Sequence, residues 1–155
     1  MHSQQEHTIH VSVATQSITL RNAEGRALLT VPCSTGAAGT GSAPGSGQTP
    51  TGRFAVCSTH GENAPLCTVF KDRIPTGTWE PGGREDDAIL ARILCLEGLE
   101  PHNANTRARF IYIHGTADTA RLGSPVSHGC VRMDPTDIAH IFPLCPVGTK
   151  VFIEA

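Results

Sequence analysis

The amino-acid sequence predicts a mainly β domain, largely antiparallel, with two short helices attached. Three observations carry that expectation. Short segments alternate apolar and polar residues, and many of their apolar residues are β-branched. Sixteen glycines and 11 prolines supply frequent turns. A length of 155 residues with 39% apolar content suits one packed core rather than two or a disordered chain. Residues 1–7 are expected to be a tail and 8–155 the domain.

The first strands are expected where Ile9, Val11 and Val13 alternate with polar residues and where Ile18 and Leu20 repeat the pattern. The short break between them predicts a hairpin. RALLTV (26–31) reads as a third strand, closed by Pro32, which has no N–H to give to a ladder. From Ser34 to Gly52 the pattern gives way to a long Gly-, Ser- and Pro-rich loop. The 33 residues before it are too few to be a separate domain, so the loop belongs to the same fold and is expected to border a site. RFAVCS (53–58) and LCTVF (66–70) are further strands, followed by the Gly- and Pro-rich DRIPTGTWEPGG.

A helix is expected next, because Ile89, Ile93 and Leu96 recur at i, i+4 and i+7. Asp86 or Asp87 would cap it, Glu85 would add favourable charge at its start, and Gly98 would end it. RFIYIHG (109–115) has the strongest strand composition in the chain and delivers His114 to its end. Asp134-Pro135-Thr136-Asp137 is a helix start with a capping acceptor and a proline in the first turn, leading to about Phe142. TKVFIEA is the last strand.

Charge and hydropathy exclude some functions. With a net charge of −2 and 17% charged residues, no basic field is available to hold nucleic acid. The apolar run Ala88–Leu96 is broken by Arg92, and no stretch approaches the ~18 apolar residues of a membrane span. The opening MHSQQEHTIH lacks the pattern of a secretory signal. Cysteines 33, 57, 67, 95, 130 and 145 are widely spaced without a CxxC pair, which favours mostly reduced thiols over a disulfide framework.

The chemistry concentrates between His114 and Arg132, where a thiol and two imidazoles share 17 positions, 114 to 130. A free thiol near pKa 8.5 is only partly ionised at neutral pH, and a nearby histidine raises its reactive fraction. Both His114 and His128 are candidates. His128 is two positions from Cys130, whereas His114 can approach from an adjacent strand, so His114 is the expected base. Gly129 lets backbone N–H groups around Cys130 come close to a substrate oxygen, as an oxyanion hole requires. Arg132 is a candidate for binding a substrate carboxylate. Two blander readings compete: buried thiols and histidines are common in cores, and His114, His128 and Cys130 could serve as three zinc ligands.

Ser127-His128-Gly129-Cys130-Val131-Arg132-Met133, preceded by His114-Gly115-Thr116 and, farther upstream, by TPTGRF, resembles the YkuD-type L,D-transpeptidase catalytic domain of bacterial cell-wall enzymes. The resemblance runs from the first strands to the last and implies a β-sandwich-like catalytic domain with no metal or cofactor. It implies that Cys130 is the nucleophile and His114 the base, with the Gly115 main-chain carbonyl orienting the imidazole. Ser127, His128 and Gly129 would line the oxyanion side, with Arg132 and Tyr112 as further substrate contacts. Tyr112 faces away from Ile111 and Ile113. Arg132 stands where many members have Asn.

The implied partners are peptidoglycan stem peptides as donor and acceptor. The implied reaction is a thioester at the bond between an L-centred diamino residue and D-Ala, resolved by an amine to give a 3→3 cross-link. Hydrolysis of the same bond, or of a wall-lipoprotein linkage, is the near alternative, and a non-catalytic wall- or zinc-binding β domain the distant one. The implied location is the cell envelope or periplasm. Trp79 is either a rim contact for substrate or a packing anchor, and His60, His102 and His140 are expected at the surface.

Overall fold

The structure, a computed structural model, describes residues 6–80 and 88–155. Ten strands join one sheet that curls around the main core, so the fold is mainly β as predicted. Strands β1 (Thr8–Ser12), β2 (Ser17–Arg21) and β3 (Ala27–Pro32) form the expected meander. The first two bury Ile9, Val11, Ile18 and Leu20 from alternate positions. At the β1–β2 turn Gln16 is buried, and its amide donates to the Val13 carbonyl and to Thr35 Oγ1 while its Oε1 accepts from the Thr35 N–H. That side chain moors the hairpin to the start of the Gly-rich loop.

The last strand, β10 (Lys150–Glu154), inserts between β1, with which it runs parallel, and β4 (Gly52–His60), with which it runs antiparallel. Beyond β4 lies β7 (Ile89–Gly98). One end of β7 pairs with β5 (Thr68–Lys71), which forms a hairpin with β6 (Ile74–Thr78). The sheet branches at β7 to β8 (Tyr112–Thr116), which runs parallel to β9 (Val131–Met133).

β7 corrects the expected helix over this segment; the proposed caps at Asp86 and Asp87, with Glu85, lie outside the described residues. The physical reason is burial on both faces. Leu90, Ala91, Leu94 and Leu96 belong to the main core, while Ile93 and Cys95 pack with Phe70 and Tyr112 in a second cluster. A strand covered on both faces loses the two-residue alternation, and its apolar run then also fits a helical repeat. The sole α-helix among the described residues, α1 (Pro135–Ile141), begins as predicted, with the Thr136 N–H donating to Asp134 Oδ1 at 2.8 Å. It buries Ile138 and Ile141. Three short 3-10 turns complete the helical content of the described residues. β6 and β9 fall in segments to which the sequence pattern assigns no strand.

Candidate active site

β8 and β9 place the chemistry. In their parallel register Ile113 faces Val131 and His114 faces Arg132, so Cys130 enters β9 beside Tyr112. Ile111, Ile113 and Val131 point into the main core; Tyr112 and Cys130 share the opposite, second cluster. The orientation of Tyr112 is thereby resolved: it lies on the thiol's side of the sheet. Its ring hydroxyl is pushed above its ordinary range by burial first, and next by the neighbouring Cys95.

Cys130 is half-buried. Its Sγ accepts from the Tyr112 N–H at 3.3 Å and donates to the Phe110 carbonyl at 3.4 Å. His114 is only 3% exposed, and its Nδ1 lies 2.7 Å from the Gly115 carbonyl oxygen. A carbonyl only accepts, so Nδ1 carries the proton and a neutral ring keeps its lone pair on Nε2. Gly115 leaves no room for a side chain: an added Cβ would collide with the Leu90 carbonyl oxygen and sit 3.3 Å from Pro135 Cα.

The turn that bears Cys130 is held from within and from above. Ser127 Oγ donates to the Cys130 carbonyl at 2.6 Å and accepts from the Gly129 N–H at 3.2 Å. Gly129 adopts φ +124°, and an added Cβ would stand 3.2 Å from the Gln48 carbonyl oxygen. The Gly-rich loop forms that roof. The Ser127 N–H donates to the Thr35 carbonyl and the Ala37 N–H to the Ser127 carbonyl. The fully buried Thr49 accepts from the Gly36 N–H at 2.8 Å and donates to the Gly129 carbonyl at 2.9 Å. Arg109 secures the loop's far end through the carbonyls of Gly41 and Gln48.

His128 is exposed on the same turn. Arg132 lies elsewhere than a free carboxylate binder would. It is 3% exposed, with Nη2 at 3.1 Å from Thr116 Oγ1 and 3.2 Å from Asp118 Oδ2, and with Nη1 donating to the Val126 carbonyl. Asp118 also pairs with Arg121. Trp79 packs against the main core, the anchoring alternative of the two considered for it. His102 and His140 are exposed and His60 is half-buried beside Ser58. Among the described residues no group of three or more His, Cys, Asp or Glu is arranged to hold a metal, so the His114–His128–Cys130 ligand set is not assembled. All six cysteines lie among the described residues, and none of them forms a disulfide.

Comparison with known proteins bears on this arrangement. Residues 6–153 match the family model of the YkuD L,D-transpeptidase catalytic domain. The chain belongs to that L,D-transpeptidase family. Among curated relatives of this L,D-transpeptidase domain, a putative L,D-transpeptidase YqjB of Bacillus subtilis is 36% identical over 72 residues, 46% of this chain and 38% of the relative. The probable L,D-transpeptidase YbiS of Escherichia coli K12 is 49% identical over 47 residues, 30% of this chain and 15% of the relative. The fold is similar to an L,D-transpeptidase from Xylanimonas cellulosilytica, with a TM-score of 0.64 at 18% identity over 99% of this chain and 63% of that one. It is also similar to L,D-transpeptidase 3 of Mycobacterium tuberculosis carrying a faropenem-derived adduct, with a TM-score of 0.62 at 17% identity over 97% and 61%. The chain thus spans less than two thirds of the length of each of these relatives.

The sequence reading missed Gln16, Thr49, Arg109, Phe110, Thr116 and Asp118. Gln16, Thr49 and Arg109 come from distant segments and Phe110 acts through its carbonyl, while Thr49 and Thr116, although they stand in TPTGRF and His114-Gly115-Thr116, have hydrogen-bond partners that those strings do not display.

Proposed function

We propose that this domain is a cysteine acyltransferase acting on peptidoglycan stem peptides in the cell envelope. The observation that carries the reading is the 2.7 Å contact between His114 Nδ1 and the Gly115 carbonyl, on the strand beside Cys130. It presets the tautomer a general base needs. His114 Nε2 takes the thiol proton as Cys130 Sγ attacks the carbonyl between the L-centred diamino residue and D-Ala. The imidazolium gives that proton to the departing D-Ala amine, leaving a thioester. An acceptor amine then attacks the thioester, its proton passes to His114, and the thiolate leaves with the cross-link formed. Backbone N–H groups of His128 and Cys130 receive the transient oxyanion, while Ser127, which takes the Gly129 N–H, and Thr49 hold the turn in shape. Arg132 acts as a positioning residue, tying β9 to the Thr116–Asp118 segment, and Tyr112 walls the thiol's side.

Mass spectrometry of products from a disaccharide-tetrapeptide, beside a Cys130→Ala control, tests the reading. A cross-linked dimer that disappears in the control is the expected result. Tripeptide monomer alone would make water the acceptor and the domain a carboxypeptidase, and product in the control would remove Cys130 from the mechanism. A carbapenem supplies a second readout, since one solved relative is an imipenem complex and another carries the faropenem-derived adduct. Imipenem is expected to add its mass to the wild type and not to Cys130→Ala.

A further inference from the structure

Phe110 combines two features that folding alone does not favour. Its backbone sits at φ +58°, a left-handed conformation that aromatic L-residues rarely adopt, and the residue is 59% exposed. The conformation is imposed by its surroundings: the Phe110 N–H donates to the Arg107 carbonyl, the Ile111 N–H to the Thr106 carbonyl, and β8 begins two residues later. Glycine or asparagine would take this backbone with less strain, and a polar side chain would suit the exposure better. Yet the carbonyl of this residue is the one that meets the Cys130 thiol, at 3.4 Å. Backbone strain over-determined by its neighbours gathers at functional sites.

We propose that Phe110 is a substrate-contacting residue: its carbonyl holds the resting thiol, and its ring receives the methylene chain of the donor's diamino residue. This rests on the acyltransferase reading. The two halves of the residue separate by function. The carbonyl and the Tyr112 N–H contact Sγ in opposite hydrogen-bonding roles, so the carbonyl lies within reach of the S–H and the N–H remains as donor once the thiolate forms. The ring is attached to the residue touching the sulfur and is open to solvent, so an apolar chain approaching Cys130 gains by covering it.

Phe110→Gly keeps the left-handed backbone and deletes the ring, Phe110→Asn does the same with a polar side chain, and Phe110→Tyr keeps an aromatic face. The first readout needs no turnover: the rates at which N-phenylmaleimide and iodoacetamide modify Cys130, followed at its peptide by mass spectrometry. In the Gly and Asn variants the preference for the aromatic reagent should fall about five- to tenfold, the scale of one lost aromatic contact. The iodoacetamide rate should stay within about twofold, and Tyr should retain the preference. The second readout is the disaccharide-tetrapeptide KM, expected to rise about five- to tenfold in Gly and Asn with kcat within about twofold. An unchanged reagent preference overturns the proposal, and so does an equal slowing of both reagents, which would mean a disturbed thiol instead of a lost contact. A lost preference in a protein that turns over no tetrapeptide would uphold Phe110 as an apolar contact, while the peptidoglycan reading, and the donor named with it, would fall.

Discussion

Replacing Thr49 by Val preserves the shape of a fully buried side chain and removes the hydroxyl that joins two loops 80 residues apart. In the wild type that oxygen accepts from the Gly36 N–H at 2.8 Å and donates to the Gly129 carbonyl at 2.9 Å. Both backbone groups belong to buried residues. A buried polar group left without a partner costs about 1–3 kcal/mol, so two of them should cost about 2–6 kcal/mol. For a domain near 150 residues, 1 kcal/mol is about 2–4 °C, which sets the expected fall in Tm at about 4–24 °C. Thr49→Ser keeps the hydroxyl and loses one methyl, about 1 kcal/mol. Calorimetry of the three proteins, with iodoacetamide labelling of Cys130 at 20 °C, checks both consequences. Val should melt well below Ser, and its Cys130 should react at a changed rate because the turn bearing Gly129 has lost its tie to the roof. If Val and Ser melt together and label alike, the hydroxyl bridge contributes nothing and the account of how the Gly-rich loop shapes the site is wrong.

Gly115→Ala should cost about 1–3 kcal/mol by overpacking, because the new methyl has the Leu90 carbonyl in its way and Pro135 Cα behind it; cross-linking rates at 10 °C, where the variant is folded, should fall further than the melting shift explains, since the carbonyl that orients His114 moves. Asp118→Asn removes the carboxylate 3.2 Å from the buried Arg132 guanidinium and should destabilise by about 3–5 kcal/mol, whereas Arg121→Ala removes only the exposed arm of the same cluster and should stay within about 1 kcal/mol; equal urea midpoints for the two variants would refute the distinction. Burial pushes the Cys33 and Cys145 thiols from 9.0 up to about 12. Folded-state values raised above the unfolded ones mean that this stability is complete below pH 9 and is lost as pH rises from 9 towards 12, at about 1.4 kcal/mol per pH unit for each thiol. Urea midpoints at pH 8 and pH 10 should therefore decline less steeply in a Cys33→Ala, Cys145→Ala double variant, and parallel declines would remove the two thiols from the alkaline response.

Where one face of an element meets water, the sequence displays its structure. β1 and β2 alternate buried and half-buried residues one for one, and the Asp134 cap announces α1 before any tertiary contact is known. β7 shows the opposite case: with Leu94 in the main core and Ile93 in the second cluster, nothing in its composition separates strand from helix. β6 is concealed for another reason, since all five of its residues are exposed and IPTGT offers no apolar alternation to read. β9 has only three residues, too short for any period.

The site divides along the same line. Cys130, Gly129, His128 and Ser127 are adjacent in the chain, and the types of residue needed for thiol chemistry are visible as a string. The partners that shape that string come from afar: Thr49 by a bond across 80 residues, Phe110 by its carbonyl, Asp118 by an ion pair with a buried guanidinium. Sequence by itself determined that a β-rich fold forms, where most strands and α1 run, and in which short segment the candidate thiol and imidazoles lie, because local periodicity and turn chemistry act over a few residues. Only the tertiary structure decided that β7 is a strand, that Tyr112 and Cys130 share a face, that Arg132 is turned inward, and that the Gly-rich loop roofs the turn bearing Cys130. Those outcomes depend on which surfaces are covered by distant segments, and burial by a distant segment leaves no mark on the local pattern it covers.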